Sequence, residues 1–258
     1  MTLETYGLAV QSLEAELTAA RDLSIADLAD AIESIGFECT RCGDCCTSHG
    51  DEAHTATVFP DEIRDLETAE RGVDAAVRSG KTNLVPPPED REWRDVARPM
   101  PYGLTEGADG LEGETFEWAL QTDGCGDCAF YTEIDGTGAC TAHDDRPLIC
   151  RTYPFSVGLD GTSQPMGEAV DSVSLPGHEG DDEAGSVHAH ECEGLGRDIS
   201  RADAEALAAT LKERAIRELE EAIGVRDSYE PVTPNAGEVV VHDSEGAKRL
   251  DGTPLEGD

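Results

Sequence analysis

Four thiols fall within eight residues in Cys39-Thr-Arg-Cys42-Gly-Asp-Cys45-Cys46. Packing within a helix or strand does not call for that density. Two residues between cysteines form a tight loop that aims both sulfurs the same way, so a C-x2-C pair can close on one metal ion. A third cysteine two residues further on gives the spacing that holds three corners of an iron–sulfur cube. Cys46 directly follows Cys45, so its side chain should diverge from its neighbour's and serve a second site or another wall of the same one. Cys125-Gly-Asp-Cys128 is a second C-x2-C pair, Cys140 and Cys150 follow, and Cys192 completes a set of nine. All nine are candidate ligands. Separated C-x2-C pairs favour a zinc ion, whereas the crowded run favours an iron–sulfur cluster. Taken alone, Cys192 also fits the small buried thiol that packs as a hydrophobe.

Histidines add less. His188-x-His190-x-Cys192 would place three donors on one side of an extended segment. The cysteines already suffice for two four-ligand sites, however, and the two histidines read first as loop residues. His49, His54, His143, His178 and His242 make a weaker case for ligation.

Composition sets the surroundings of these thiols. The chain has 258 residues, 56 Asp+Glu against 19 Lys+Arg, and a net charge of −37. Such a chain repels itself in dilute salt, and molar salt relieves this by shrinking the Debye length to about 3 Å. The acids are spread along the whole chain, and the only lysines are Lys81, Lys212 and Lys248. This is the halophilic pattern of a solvated acidic surface in a salt-rich cytoplasm. It excludes a nucleic-acid partner, because no basic stripe is available to neutralise phosphates. No segment approaches the roughly 18 apolar residues of a membrane span, and the N-terminus lacks a basic leader. A cytoplasmic location follows, where clustered cysteines stay reduced and bind metal more often than they form disulfides. The readings leave room for a protein partner but name none.

The elements that position the cysteines are short. Residues 8–20 and 25–35 read as helices, the second capped by Ser24 and stopped by Gly36; together they form an N-terminal arm, 1–36. The cysteine-cluster domain follows over 37–196. Ala56–Phe59 is a short strand, and Pro60 suits the first position of a helix. Residues 79–114, broken by prolines and glycines, read as an irregular insertion around Trp93. Thr115–Gln121 alternates as a strand. Phe130–Ile134 is another strand, turning at Asp135-Gly136 and returning to Cys140 as a hairpin with ligands near both ends. Residues 160–190, acidic and glycine-rich around Asp181-Asp-Glu183, read as a mobile loop. A helix over 197–224 starts at Ser200 with Asp203, carries an apolar stripe of Leu207, Leu211, Ile216, Leu219 and Ile223, and ends at Gly224. The tail, 225–258, holds a hairpin from Glu238 through Ser244-Glu245-Gly246 and then disorder. The fold class is α+β: a small, irregular, metal-nucleated domain of short strands and hairpins flanked by helices.

The string Arg146-Pro147-Leu-Ile-Cys150-Arg151-Thr-Tyr153-Pro154, taken with Cys39, Cys42, Cys45, Cys46, Cys140 and Glu-Cys192-Glu-Gly-Leu-Gly, resembles the CxxCxxCC cysteine-cluster family of zinc- or iron-chelating domains. The match runs over about residues 37–196. Relatives more often carry one cysteine where this chain has Cys125 and Cys128, so the resemblance does not choose between those two. The family includes proteins similar to flagellin lysine N-methylases, which implies metal- or cluster-dependent methyl transfer as one activity. This chain shows no glycine-rich strand–turn–helix fingerprint for a nucleotide-derived cofactor. A redox or electron-transfer role is a third reading. Independently of the resemblance, Arg146 and Arg151 would balance the net charge of about −2 left by four thiolates on Zn²⁺ or a [4Fe–4S]²⁺ core, and donate hydrogen bonds to sulfur. A surface pairing of Arg146 with Asp144 or Asp145 is the plainer alternative.

Overall fold

The computed structural model of the chain describes residues 12–50, 52–69, 91–108, 110–159, 162, 169–176 and 186–255. In chain order the helices are α1 (Leu13–Asp22), α2 (Ile25–Ile35), α3 (Pro60–Thr68), α4 (Trp93–Val96), α5 (Leu148–Thr152) and α6 (Arg201–Ser228). The strands are β1 (Thr57–Val58), β2 (Ala97–Pro99), β3 (Leu104–Gly107), β4 (Gly110–Thr115), β5 (Trp118–Leu120), β6 (Tyr131–Ile134), β7 (Thr137–Cys140), β8 (Phe155–Val157), β9 (Ala169–Ser174), β10 (Ser186–His190), β11 (Val239–Asp243) and β12 (Gly246–Lys248). The mixture of helices and small sheets is the α+β class. No described helix is long and apolar enough to cross a membrane.

The chain forms two compact units, one of Met1–Glu38 with Thr152–Ile223, the other of Cys39–Arg151 with Gly224–Asp258. Each draws on two separated stretches of sequence.

The first unit is a three-stranded antiparallel sheet, ordered β8-β10-β9, packed with helices. Alternation along the strands sorts the side chains. Phe155, Val157, Val187 and Ala189 join Leu28, Ile32, Ala204, Ala208 and Leu211 in one core. Ser156, His188 and His190 alternate with them, also buried. Ser24 caps α2 by accepting from the Asp27 N–H at 3.3 Å, and Gly36 closes it at φ 78°. Within α6, Arg214 donates to Glu218 at 2.8 Å and to Thr152 Oγ1 at 3.1 Å, which satisfies a guanidinium that is 2 % exposed. Residues 169–174 and 186–190, expected in a mobile loop, are paired strands. Asp181–Glu183 and His178 lie outside the described residues.

The second unit holds eight of the nine cysteines. Its sheets are ordered β1-β5-β2 and β12-β11-β4-β3, with β6-β7 as a separate hairpin. Ile63 and Leu66 of α3, Trp93 and Val96 of α4, Trp118, and Val239 and Val241 form the core, against which Cys46, Cys140 and Cys150 pack. Each such aliphatic side chain removed from water contributes about 1.5–3 kcal/mol. Trp118 Nε1 donates to Asp243 at 2.9 Å, and Asp243 also pairs with Lys248 at 2.7 Å, both of them buried.

Several expectations change here. The insertion expected over 79–114 is regular where it is described: 91–99 and 104–115 supply α4 and three strands, because the prolines fall at a strand end (Pro99) and in the turn after it (Pro101). Residues 79–90 lie outside the described residues, as do the first residues of the helix expected from 8. Thr115–Gln121 is two strands rather than one. Thr115 pairs with Val241 in one sheet and Trp118 with Val58 in another. Between them Phe116 turns out to stack on His242, ring centroids 5.3 Å apart. Helix α6 runs through Gly224 to Ser228. That glycine gives room to Ser244, whose Cβ would lie 2.5 Å from an added methyl, and does not terminate the helix. The tail hairpin forms as expected from β11 and β12, and 249–255 are described as well, with Leu255 N donating to the Ala247 carbonyl at 2.7 Å.

Candidate metal centre

The first cysteine run is a loop followed by a single 3-10 turn, Asp44–Cys46. Arg41 (φ 57°) and Gly43 (φ 88°) both take the left-handed conformation, which swings the chain around Cys42. Gly43 is required twice over: for its φ, and because a Cβ there would sit 2.3 Å from the Tyr131 hydroxyl. The Cys45 and Cys46 sulfurs lie 3.8 Å apart, in place of the divergence expected for adjacent residues.

Backbone and side-chain bonds sew this run to the second C-x2-C segment. Cys128 N–H donates to the Cys46 carbonyl at 2.8 Å, and His54 N–H to the Gly126 carbonyl at 2.8 Å. Asp127 accepts from Ser48 N–H and Oγ at 2.8 and 3.0 Å. The hairpin of β6 and β7, turned by Asp135 (φ 52°) and Gly136 (φ 78°), brings Cys140 opposite Tyr131. Gly138 N–H reaches the Arg41 carbonyl at 2.8 Å. Helix α5 carries Cys150, and Glu62 fixes its start by accepting from Leu148 N–H at 2.8 Å.

Five thiols become neighbours in this way. The pKa of Cys45 is raised strongly, first by its hydrogen bond with Cys46 and then by burial. Burial pushes Cys128 up to about 12, with Cys140 and Cys45 adding to it. Burial raises Cys140 too, Cys45 again contributing. Cys150 is raised well above the ordinary thiol range by burial and then by Cys128, Cys140 and Cys45. Cys45, Cys128, Cys140 and Cys150 thus form one electrostatic group in which negative charge is costly, with the Cys46 sulfur beside that of Cys45. Arg146 acts against this, favouring the charged forms of Cys45, Cys140 and Cys150. Its Nε donates to the His143 carbonyl at 3.1 Å, and it forms no ion pair with Asp144 or Asp145.

The remaining candidates are placed differently. Cys39, Cys42 and Cys125 are exposed, and Cys42 and Cys46 both act on the Tyr131 hydroxyl. Arg151 is exposed at the end of α5. Cys192 belongs to the first unit, where its sulfur accepts from Gly194 N–H at 3.4 Å. His188 and His190 are buried on β10, not in a loop, and His190 Nε2 lies 3.0 Å from Ser156 Oγ. His143 is exposed beside Asp144, and His242 bonds Glu114 at 2.9 Å. All nine cysteines are thiols.

The donor set suits a thiophilic ion. Soft sulfur ligands select zinc, copper(I) or iron–sulfur centres. A tetrahedron with Zn–S bonds of about 2.3 Å has an S···S edge of about 3.8 Å, which is the Cys45–Cys46 separation. Among the described residues no three His, Cys, Asp or Glu side chains converge on a point that would hold an ion. Capture therefore requires the thiols to turn toward one another, a side-chain movement within a backbone already sewn together.

Fold and site together define a metal-chelating cysteine-cluster protein. The family model CxxCxxCC, described as "Putative zinc- or iron-chelating domain", matches residues 38–193, and the chain belongs to that family. No curated protein and no solved structure matches the chain.

Sequence reasoning undervalued two groups at this site. His54 is 6 % exposed, and burial depresses its pKa to about 4. Arg98 donates to the His54 carbonyl at 2.8 Å and to Thr55 Oγ1 at 3.1 Å. The signal for His54 was its place eight residues beyond Cys46 on the segment entering β1. Arg98 lay in the stretch read as irregular and carried no signal of its own.

Proposed function

We propose that this protein binds a zinc ion or an iron–sulfur cluster through Cys45, Cys46, Cys128, Cys140 and Cys150, with Arg146 balancing the thiolate charge. The observation that carries the reading is the raised pKa of Cys45, Cys128, Cys140 and Cys150, each acted on by other thiols of the group, with the Cys46 sulfur 3.8 Å from that of Cys45. Such a group resists ionisation until a cation is present, and a bound divalent ion reverses that balance by stabilising every thiolate at once. Cys39, Cys42 and Cys125 stand at the exposed rim as entry ligands or as donors to a second site. Reducing conditions, as in a cytoplasm, keep all these thiols available. The bound centre supplies folding energy to a unit poor in aromatic residues.

Metal and acid-labile sulfide analysis, with a visible spectrum, on protein purified without oxygen in concentrated KCl tests this. Zinc at one or two per chain without colour gives a structural centre. Iron with matching sulfide and a brown colour gives a cluster and opens the redox and methyl-transfer activities to assay. A chain that contains neither and takes up neither zinc nor iron on reconstitution overturns the reading.

A further inference from the structure

We propose that His54 supplies a nitrogen donor, through Nδ1, to the ion held by the thiol group, giving a mixed sulfur–nitrogen centre in place of an all-cysteine one. The inference rests on the metal-binding reading above. The imidazole stands on the seam where the first cysteine run meets the second. Its backbone N–H is bonded to the Gly126 carbonyl, between Cys125 and Cys128. The Cys45 carbonyl acts on its ring, one residue from the Cys45–Cys46 sulfur contact. The backbone carbonyl of His54 is held by Arg98 at 2.8 Å, so the segment is anchored on both sides.

Within this anchored position, Nδ1 is buried and has no hydrogen-bond partner. Leaving a buried polar atom without a partner is unfavourable, and a bound cation would satisfy this lone pair. Metal-bound histidines hold the other ring nitrogen on a backbone carbonyl or carboxylate, which fixes the tautomer and leaves the ligating nitrogen bare. In His54 the bare nitrogen is Nδ1, and the Cys45 carbonyl acts on the same ring. His49 does not share this setting, because its Nε2 is engaged by the Asp44 carbonyl at 3.2 Å and the residue is exposed. His242 also has a bare Nδ1, but it belongs to the Glu114–Phe116–Tyr229 cluster.

X-ray absorption at the zinc edge on the full wild-type chain loaded with one Zn²⁺ tests this without a variant. The expected shell contains sulfur and one nitrogen with imidazole scattering. Loaded protein with an all-sulfur shell overturns the inference while leaving thiol binding intact. His54→Ala, checked for folding by circular dichroism, is expected to lose the nitrogen signal and about tenfold or more in zinc affinity, by loss of one ligand. Unchanged affinity and spectrum in that variant also overturn it. A wild-type chain that binds no zinc overturns this inference, and one that takes up neither zinc nor iron overturns the metal-binding reading as well.

Discussion

The sulfurs of Cys45 and Cys46, adjacent in sequence within one 3-10 turn, lie 3.8 Å apart. The pair is joined by three further thiols whose burial suppresses ionisation. Since the thiolate is the reactive form, an alkylating reagent at pH 8 will label Cys39, Cys42 and Cys125 first. The buried Cys128 and the half-buried Cys140 and Cys150 will lag behind them. Peptide mass spectrometry over a time course reads the order, and early labelling of Cys128 or Cys150 contradicts it.

Binding must displace the protons that these raised pKa values hold. Zinc uptake should therefore release about two to four protons per ion at pH 7 and weaken steeply as pH falls. Titration in lightly buffered solution with a pH indicator measures the stoichiometry. Uptake without proton release would mean that the ion is not bound by thiols.

Gly43→Ala adds a methyl 2.3 Å from the Tyr131 hydroxyl at a φ of 88°. The left-handed conformation alone costs about 1–2 kcal/mol in a residue with a Cβ, and the clash adds to it. The melting temperature should fall and zinc affinity with it, because the turn that presents Cys45 and Cys46 must shift. Gly50→Ala, at φ 64° with nothing near the added methyl, isolates the backbone cost.

Gly224→Ala separates two opposing effects. A mid-helix alanine gains about 1 kcal/mol over glycine. The added methyl, however, meets the Ser244 Cβ at 2.5 Å, and overpacking of this kind costs about 1–3 kcal/mol. The clash wins, so the variant is less stable in chemical denaturation. Combining it with Ser244→Gly should recover the loss.

Glu245 is bonded to Arg64 at 2.6 Å and to Lys248 at 2.6 Å, and the Arg64 bond leads in holding its pKa down at about 2. A depressed carboxylate contributes stability above the ordinary range near 4.3, and the contribution is lost as pH falls toward 2. Its side chain is 42 % exposed, so solvent screening keeps the effect below about 1 kcal/mol. Glu245→Gln should lower the melting temperature slightly at pH 7 and not at all near pH 2. Equal losses at both values would assign the effect to packing.

Local signals were legible in the sequence wherever local physics decides. Ser24, Pro60 and Asp135-Gly136 mark a cap, a helix start and a hairpin because each bonds or turns within a few residues. What stayed hidden depended on distant partners. Phe116 leaves the strand pattern because Val58 and Val241 draw its two flanks into different sheets. Gly224 looked like a stop because Ser244, which needs the space, is twenty residues away. At the site, the cysteine spacing marked the thiols as candidate donors. Which thiols gather depended on bonds such as Cys128 to Cys46 and Leu148 to Glu62, which no spacing encodes.

The parallel pairing of β11 with β4 has a consequence for biosynthesis. The ribosome has made all nine thiols by Cys192, but Val239 and Val241, which wall the same core as Cys46, Cys140 and Cys150, emerge about fifty residues later. Until they arrive, one wall of that core is missing, and Cys46, Cys140 and Cys150 stand more open to any ion or oxidant. Correct loading therefore belongs to the interval after those valines leave the exit tunnel, and slowing translation before them should increase mismetallated product.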